Sequence, residues 1–106
     1  MQQTDYDISV HKLGEIQIYG NAHTALDIRK STELAVCAVG DSVTFPMQRV
    51  PNELGMLPLE YRLIVVCHHG IRSAMMTDFL RKNGFDDVRN LAGGIDAWSR
   101  HIEPDM

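Results

Sequence analysis

The chain has 106 residues, 44% of them hydrophobic and 23% charged, with a formal net charge of -4. That length accommodates one compact domain with its own core and leaves little room for a second. The acidic balance and the lack of a basic stripe exclude nucleic acid as the expected partner, and no apolar run approaches the ~20 residues of a membrane helix.

Residues 1–7 are polar and acidic and match neither a secretory signal nor a basic transit peptide, so the expectation is a soluble, cytoplasmic protein with no membrane partner. Residues 1–106 are read as a single domain. The two cysteines, Cys37 and Cys67, are too few for a disulfide framework and lack the paired spacing of a structural zinc site, so each is judged by its surroundings.

Ser9 can cap a short helix that carries Val10 and Leu13 on one face, with Gly14 weakening it. Residues 24–28 form a short apolar run that reads as a strand, and Ser31, Thr32 and Glu33 look like the start of a helix. A second run, residues 42–45, stops at Pro46. The stretch from there to Pro58 is rich in turn formers, with a brief helical possibility around residues 52–54. Residues 63–67 (Leu-Ile-Val-Val-Cys) are continuously apolar, as expected of a strand buried on both faces of a parallel sheet. Beyond the loop 68–72, Met75 and Phe79, with Met76 and Leu80, recur at a four-residue spacing that predicts a helix packed on the core and stopped at Asn83-Gly84. Residues 88–91 read as another strand. Ala92-Gly93-Gly94 then leads to a last helix with Ile95 and Trp98 on one side, the indole N–H of Trp98 requiring an acceptor. Strands alternating with helices predict an α/β fold: an open, mainly parallel sheet of four to five strands with helices on both faces.

Open parallel sheets bind ligands at the carboxyl ends of their strands, and Cys67 ends the most apolar strand just before a helix. A buried cysteine is most often an inert core thiol. Here the loop Cys67-His68-His69-Gly70-Ile71-Arg72-Ser73 changes that reading. Its backbone N–H groups and the following helix N-terminus can converge on the sulfur, a cradle that favours the thiolate. Arg72 adds a fixed positive charge, Gly70 permits a turn that a side chain would penalise, and Ser73 can cap the helix or donate to the sulfur. His68 and His69 are neighbours whose side chains are expected to point apart with no third ligand, so they are read as pocket lining, with neither metal nor cofactor expected.

On these residues the chain resembles the rhodanese family. The resemblance is carried by the buried strand ending in Cys67, then His68-His69-Gly70-Ile71-Arg72-Ser73, Phe79-Leu80, Asn83-Gly84-Phe85 and Asn90-Leu91-Ala92-Gly93-Gly94-Ile95-Asp96-Ala97-Trp98. Upstream, Leu26-Asp27-Ile28-Arg29 resembles the family's Asp-x-Arg after an early strand, and Val43-Thr44-Phe45-Pro46 its strand ending in proline. One departure stands at Cys37-Ala38-Val39-Gly40-Asp41-Ser42, where the family usually shows Gly-His-Ile-Pro-Gly-Ala.

The resemblance implies a sulfurtransferase. Cys67 would take sulfur from a small anionic donor such as thiosulfate as a persulfide and pass it to a thiol, to cyanide or to a protein acceptor. Residues 68–73 would cradle the persulfide, and Asp27 and Arg29 would form a supporting ion pair. Two rivals accompany that reading: a non-catalytic module on the same fold, and a phosphatase or arsenate reductase. Retention of the cysteine argues against the first. Against the second, four residues separate Cys67 from Arg72, one fewer than in the phosphatase-type relatives, whose wider ring fits a tetrahedral oxyanion. Cys37 is a candidate to resolve the persulfide as a disulfide.

Overall fold

A computed structural model of the chain describes residues 6–20, 22–29, 42–57 and 62–102. Within them, five strands, β1 (Asp7–Ile8), β2 (His23–Asp27), β3 (Val43–Thr44), β4 (Arg62–Val66) and β5 (Val88–Leu91), form one sheet in the order β1-β5-β4-β2-β3. Every pairing is parallel. Among the described residues three α-helices accompany it: α1 (Val10–Ile18), α2 (Ile71–Lys82) and α3 (Gly94–His101). The expected α/β architecture is present, with the sheet parallel throughout the described strands.

β4 lies at the centre, and its alternating side chains divide the core in two. Leu63, Val65 and Cys67 face a cluster with Met76 and Leu80 of α2. Ile64 and Val66 face the opposite cluster, with Val10, Leu13 and Ile16 of α1 and Ile95 and Trp98 of α3. Each such fully buried aliphatic or aromatic side chain contributes on the order of 1.5–3 kcal/mol by leaving water. Helices on both faces follow directly from a strand with no polar side.

Local chemistry sets the helix ends. Ser9 Oγ accepts from the backbone N–H of Lys12 at 3.0 Å, the N-cap expected at α1. The helix runs through Gly14, where a Cβ would stand in ordinary van der Waals contact with Ile102 Cδ1 at 3.6 Å. At the far end of α2, Phe85 N–H bonds Leu80 C=O at 3.0 Å across Gly84, whose φ of 93° closes the turn. On α2 itself the structure corrects one expectation. Met76 and Leu80 are buried and Phe79 is half-buried, but Met75 is 55% exposed, because the core touches only part of the apolar face.

The turn-rich stretch forms two 3₁₀ segments, Met47–Asn52 and Leu54–Met56, more regular than the brief helical possibility around residues 52–54. Arg49 forks onto the Glu53 carboxylate at 2.8 and 2.9 Å. β1 has no counterpart among the strands expected from the sequence. It is two residues long, and its Asp7 and Ile8 pair with Asn90 and Leu91 of the neighbouring β5. The expected helix beginning at Ser31, and Cys37 with the departure at residues 37–42 up to Asp41, lie outside the described residues.

The end of β2 is locked by a buried ion pair. Asp27 and Arg29 are 0% and 1% exposed, and Arg29 Nη2 and Nε reach Asp27 Oδ2 and Oδ1 at 2.8 and 3.0 Å. The Arg29 backbone N–H also bonds Oδ1, at 3.1 Å, so the carboxylate is held by both main chain and side chain of one residue. Removing one partner leaves the other charge buried. Arg29→Leu is therefore expected to cost about 3–5 kcal/mol of unfolding free energy in urea titrations, well above the loss from replacing both partners together by apolar residues.

Candidate active site

The last residue of β4 is Val66, and its C=O is taken by Ile28 N–H at 3.0 Å, so the sheet's ladder runs right up to Cys67. The chain then turns through His68 and His69 into α2. Gly70 caps that helix at φ 92°, a left-handed conformation, and a Cβ there would stand 2.9 Å from Gly93 N and 3.2 Å from Leu91 O. The turn thus needs glycine for its dihedral angle and for its neighbours.

The carbonyls of Cys67 and His68 point away from the sulfur and toward α3. Ile95 N–H bonds Cys67 C=O and Asp96 N–H bonds His68 C=O, both at 2.9 Å. First-turn N–H groups of a helix have no partner within the helix, so the Cys67 loop supplies the acceptors for α3. The approach is so close that a Cβ on Gly94 would sit 2.3 Å from Cys67 O and 2.6 Å from His68 O. Gly93-Gly94 reads in the sequence as a turn; the structure makes it the surface against which the loop is moulded.

With its carbonyls drawn outward, the loop turns N–H groups inward. Cys67 Sγ, 1% exposed, accepts from Gly70 N–H at 3.1 Å and Ser73 N–H at 3.3 Å. Ser73 Oγ lies 3.2 Å from the same sulfur. Gly70 and Ser73 are therefore joined to Cys67 through their backbone N–H groups, while the Ser73 hydroxyl accepts from the thiol rather than donating to it or capping the helix. Arg72 lies half-buried in the first turn of α2, Ile71 is 58% exposed, and His68 and His69 face solvent. Asp27 and Arg29 sit at the end of the adjacent strand, where Asp27 pairs in register with Val66, immediately before Cys67.

The two histidines do not point apart: their ring centroids are 4.2 Å from one another. Asp96 joins them. The donor atoms of His68, His69 and Asp96 lie within 4.8 Å of one another, a grouping that sequence spacing alone could not reveal because Asp96 comes from α3. Asp96 already pairs with Arg100 at 2.8 Å and both imidazoles are exposed, so the trio lacks the closed ligand cage of a structural metal site.

A hydrogen-bond chain continues behind the sulfur. The buried Ser73 hydroxyl donates to Asn90 Oδ1, and Asn90 Nδ2 donates to Asp7 Oδ1 at 2.9 Å. Neither Asn90 nor Asp7 stands out in the sequence as a site residue. Their signal is hidden because β1 is too short to show a strand pattern. The indole N–H of Trp98 is buried with no acceptor among the described residues, so its expected hydrogen bond is not found there.

A family model described as "Rhodanese-like domain" matches residues 9–101. The chain belongs to the rhodanese-like domain family. Among curated members, it is 32% identical over 100 residues to the thiosulfate sulfurtransferase GlpE of Actinobacillus pleuropneumoniae, covering 94% of this chain and 92% of that one. It is 34% identical over 79 residues to a sulfurtransferase of Allochromatium vinosum, covering 74% of each. A rhodanese-related protein of Thermoplasma volcanium superposes with a TM-score of 0.83 at 28% identity, covering 92% of this chain and 94% of that one. The human single-domain sulfurtransferase TSTD1 shares the fold, with a TM-score of 0.80 at 23% identity over 92% and 98% of the two chains. Among the described residues no helix is long and apolar enough to cross a membrane.

The contact between Gly94 and the rhodanese loop gives a direct test. Gly94→Ala must push Cys67 and His68 off the helix, at about 1–3 kcal/mol of stability, and should speed amide hydrogen exchange at Ile95 and Asp96. Gly55, which has nothing within 4 Å of its would-be Cβ, serves as the control; Gly55→Ala should stay within about 0.5 kcal/mol.

Proposed function

We propose that the chain is a sulfurtransferase that carries sulfane sulfur as a persulfide on Cys67. The observation that carries the reading is the sulfur itself: buried, at the carboxyl end of the central strand, and held by two inward backbone N–H groups, those of Gly70 and Ser73. Such donors stabilise negative charge with little reorganisation during reaction. The names of the relatives support sulfur transfer as the class of chemistry, and the kinship with GlpE supports thiosulfate as a donor.

In the first half-reaction the Cys67 thiolate attacks the outer sulfur of thiosulfate. A new S–S bond forms, the old one breaks, and its electron pair leaves with sulfite. In the second, a thiolate or cyanide attacks the outer sulfur of the persulfide and the Cys67 thiolate departs. Splitting the transfer this way replaces one difficult encounter by two simpler displacements. Arg72, in the first turn of α2, supplies positive charge for an anionic donor, and the remaining residues of the loop, His68, His69 and Ile71, form the rim that an acceptor must approach. A soluble, cytoplasmic setting with a small thiol or a protein acceptor fits this chemistry.

Intact-mass spectrometry tests the reading. Incubation with thiosulfate should add about 32 Da, cyanide should remove it, and Cys67→Ser should abolish the gain. If folded protein with free Cys67 gains no mass from thiosulfate, mercaptopyruvate or a low-molecular-weight persulfide, the domain is a binding module and the proposal fails. A gain from one of the latter two alone moves the donor assignment away from thiosulfate.

A further inference from the structure

Taking Cys67 as the reacting group proposed above, we infer that Asp7, acting through Asn90, withholds the Ser73 hydroxyl proton from the Cys67 sulfur, and so acts as a positioning residue for the nucleophile.

Ser73 Oγ has a single hydrogen and two neighbours that can accept it, Cys67 Sγ at 3.2 Å and Asn90 Oδ1. An asparagine side chain offers an acceptor at one end and donors at the other, and which end faces Ser73 is decided by its second partner. That partner is the Asp7 carboxylate, which takes the Asn90 amide at 2.9 Å. A carboxylate accepts and cannot donate, so Asn90 must turn Nδ2 to Asp7 and Oδ1 to Ser73. The reverse orientation would set two oxygens lone pair to lone pair. Asn90 itself is 1% exposed and fixed in β5, where it pairs in register with Asp7 of β1 and Val65 of β4.

With Asn90 locked, the hydrogen bonds run consistently in one direction: Cys67 S–H to Ser73 Oγ, Ser73 O–H to Asn90 Oδ1, Asn90 N–H to Asp7. This arrangement suits the neutral thiol. When Cys67 ionises, its proton goes to solvent and the thiolate gains a claim on the Ser73 hydrogen. Turning that hydrogen to sulfur would leave Asn90 Oδ1 facing an oxygen without a proton between them, a buried unsatisfied pair. The bare thiolate is thereby denied its third donor and is the more nucleophilic for it. Once a second sulfur is attached, the charge moves to the outer atom, and the Ser73–Asn90 bond can persist at no cost. The network opposes the empty ionised state and leaves the loaded state undisturbed.

Asp7→Asn is the informative change. The amide it introduces can donate to Asn90 Oδ1, allowing the Asn90 side chain to rotate, donate to Ser73 Oγ and release the Ser73 proton to sulfur. Among the described residues, the charged groups at the loop and at the element ends beside it are Arg72, His68 and His69 on its own segment, Asp27 and Arg29 at the end of β2, Asp96 on α3, and Asp7; Asp78, Arg81 and Lys82 of α2, Arg89 of β5, and Arg100 and His101 of α3 lie farther along those elements. Substituting Asp7 leaves the others in place.

The experiment follows the thiolate ultraviolet absorbance against pH in the full chain carrying Cys37→Ser, so that only Cys67 reports. Asp7→Asn should move the profile to lower pH by about half a unit or more, the scale of one hydrogen bond. Loss of the Asp7 charge alone would act in the same direction, so the same change is made in a Ser73→Ala background, where the proton relay is absent but the charge effect is not. The relay requires the Asp7 shift to shrink to a small remainder in that background. An equal shift with and without the Ser73 hydroxyl, or no shift in either, overturns it. Asp7→Ala, which also frees Asn90 to rotate, repeats the comparison if Asp7→Asn perturbs folding. No sulfur donor enters the measurement, so failure of the persulfide assay and failure of the relay are seen separately.

Discussion

The site depends on the contact between the start of α3 and the loop that follows β4. Two first-turn N–H groups, those of Ile95 and Asp96, take the carbonyls of Cys67 and His68. Each set satisfies a need of the other: a helix start lacks acceptors, and a loop with inward N–H groups must place its carbonyls somewhere. The result is a peptide chain curled round a sulfur atom, with donors on the inside and acceptors engaged outside. Gly94 is the steric condition for it, since any side chain there would overlap the loop backbone.

The parallel sheet supplies the remaining constraints. Because the described strands all run the same way, the carboxyl ends of β2 and β4 emerge together, and the Asp27–Arg29 pair stands next to the point where Cys67 leaves the sheet. Both charges are buried, so the pair contributes little through its own attraction but makes any displacement of the β2 end expensive. Cys67 is packed from below by the α2 cluster and held from above by N–H groups of its own loop.

Ser73 joins two networks that have different tasks. Its backbone N–H belongs to the cradle, whereas its hydroxyl belongs to the chain leading to Asn90 and Asp7. The first offers the sulfur a donor in every state. The second offers or withholds one according to how Asn90 is turned. That second chain ends on β1, at the opposite side of β5 from the strand that leads to Cys67.

Much of this is legible in the sequence. The continuous apolar run at residues 63–67 can be buried only between two layers, which makes it the central strand; the Cys67 to Ser73 segment and Gly70 announce an anion-binding turn; Ser9 and Asn83-Gly84 mark helix ends through chemistry local to a few residues. These features depend on short-range geometry, and the amino acids present determine it directly. Tertiary structure alone decided what lies at a distance along the chain. It brought Asp96 to the histidines, Gly94 beneath the loop, and Asp7 to Asn90 across 83 residues. It also left Met75 in solvent although its spacing matched the core, since periodicity defines a face but not how much of that face a neighbour covers. A two-residue strand such as β1 has no period to read, so its existence, and the contact of its Asp7 with Asn90, comes only from the partner strand that pairs with it.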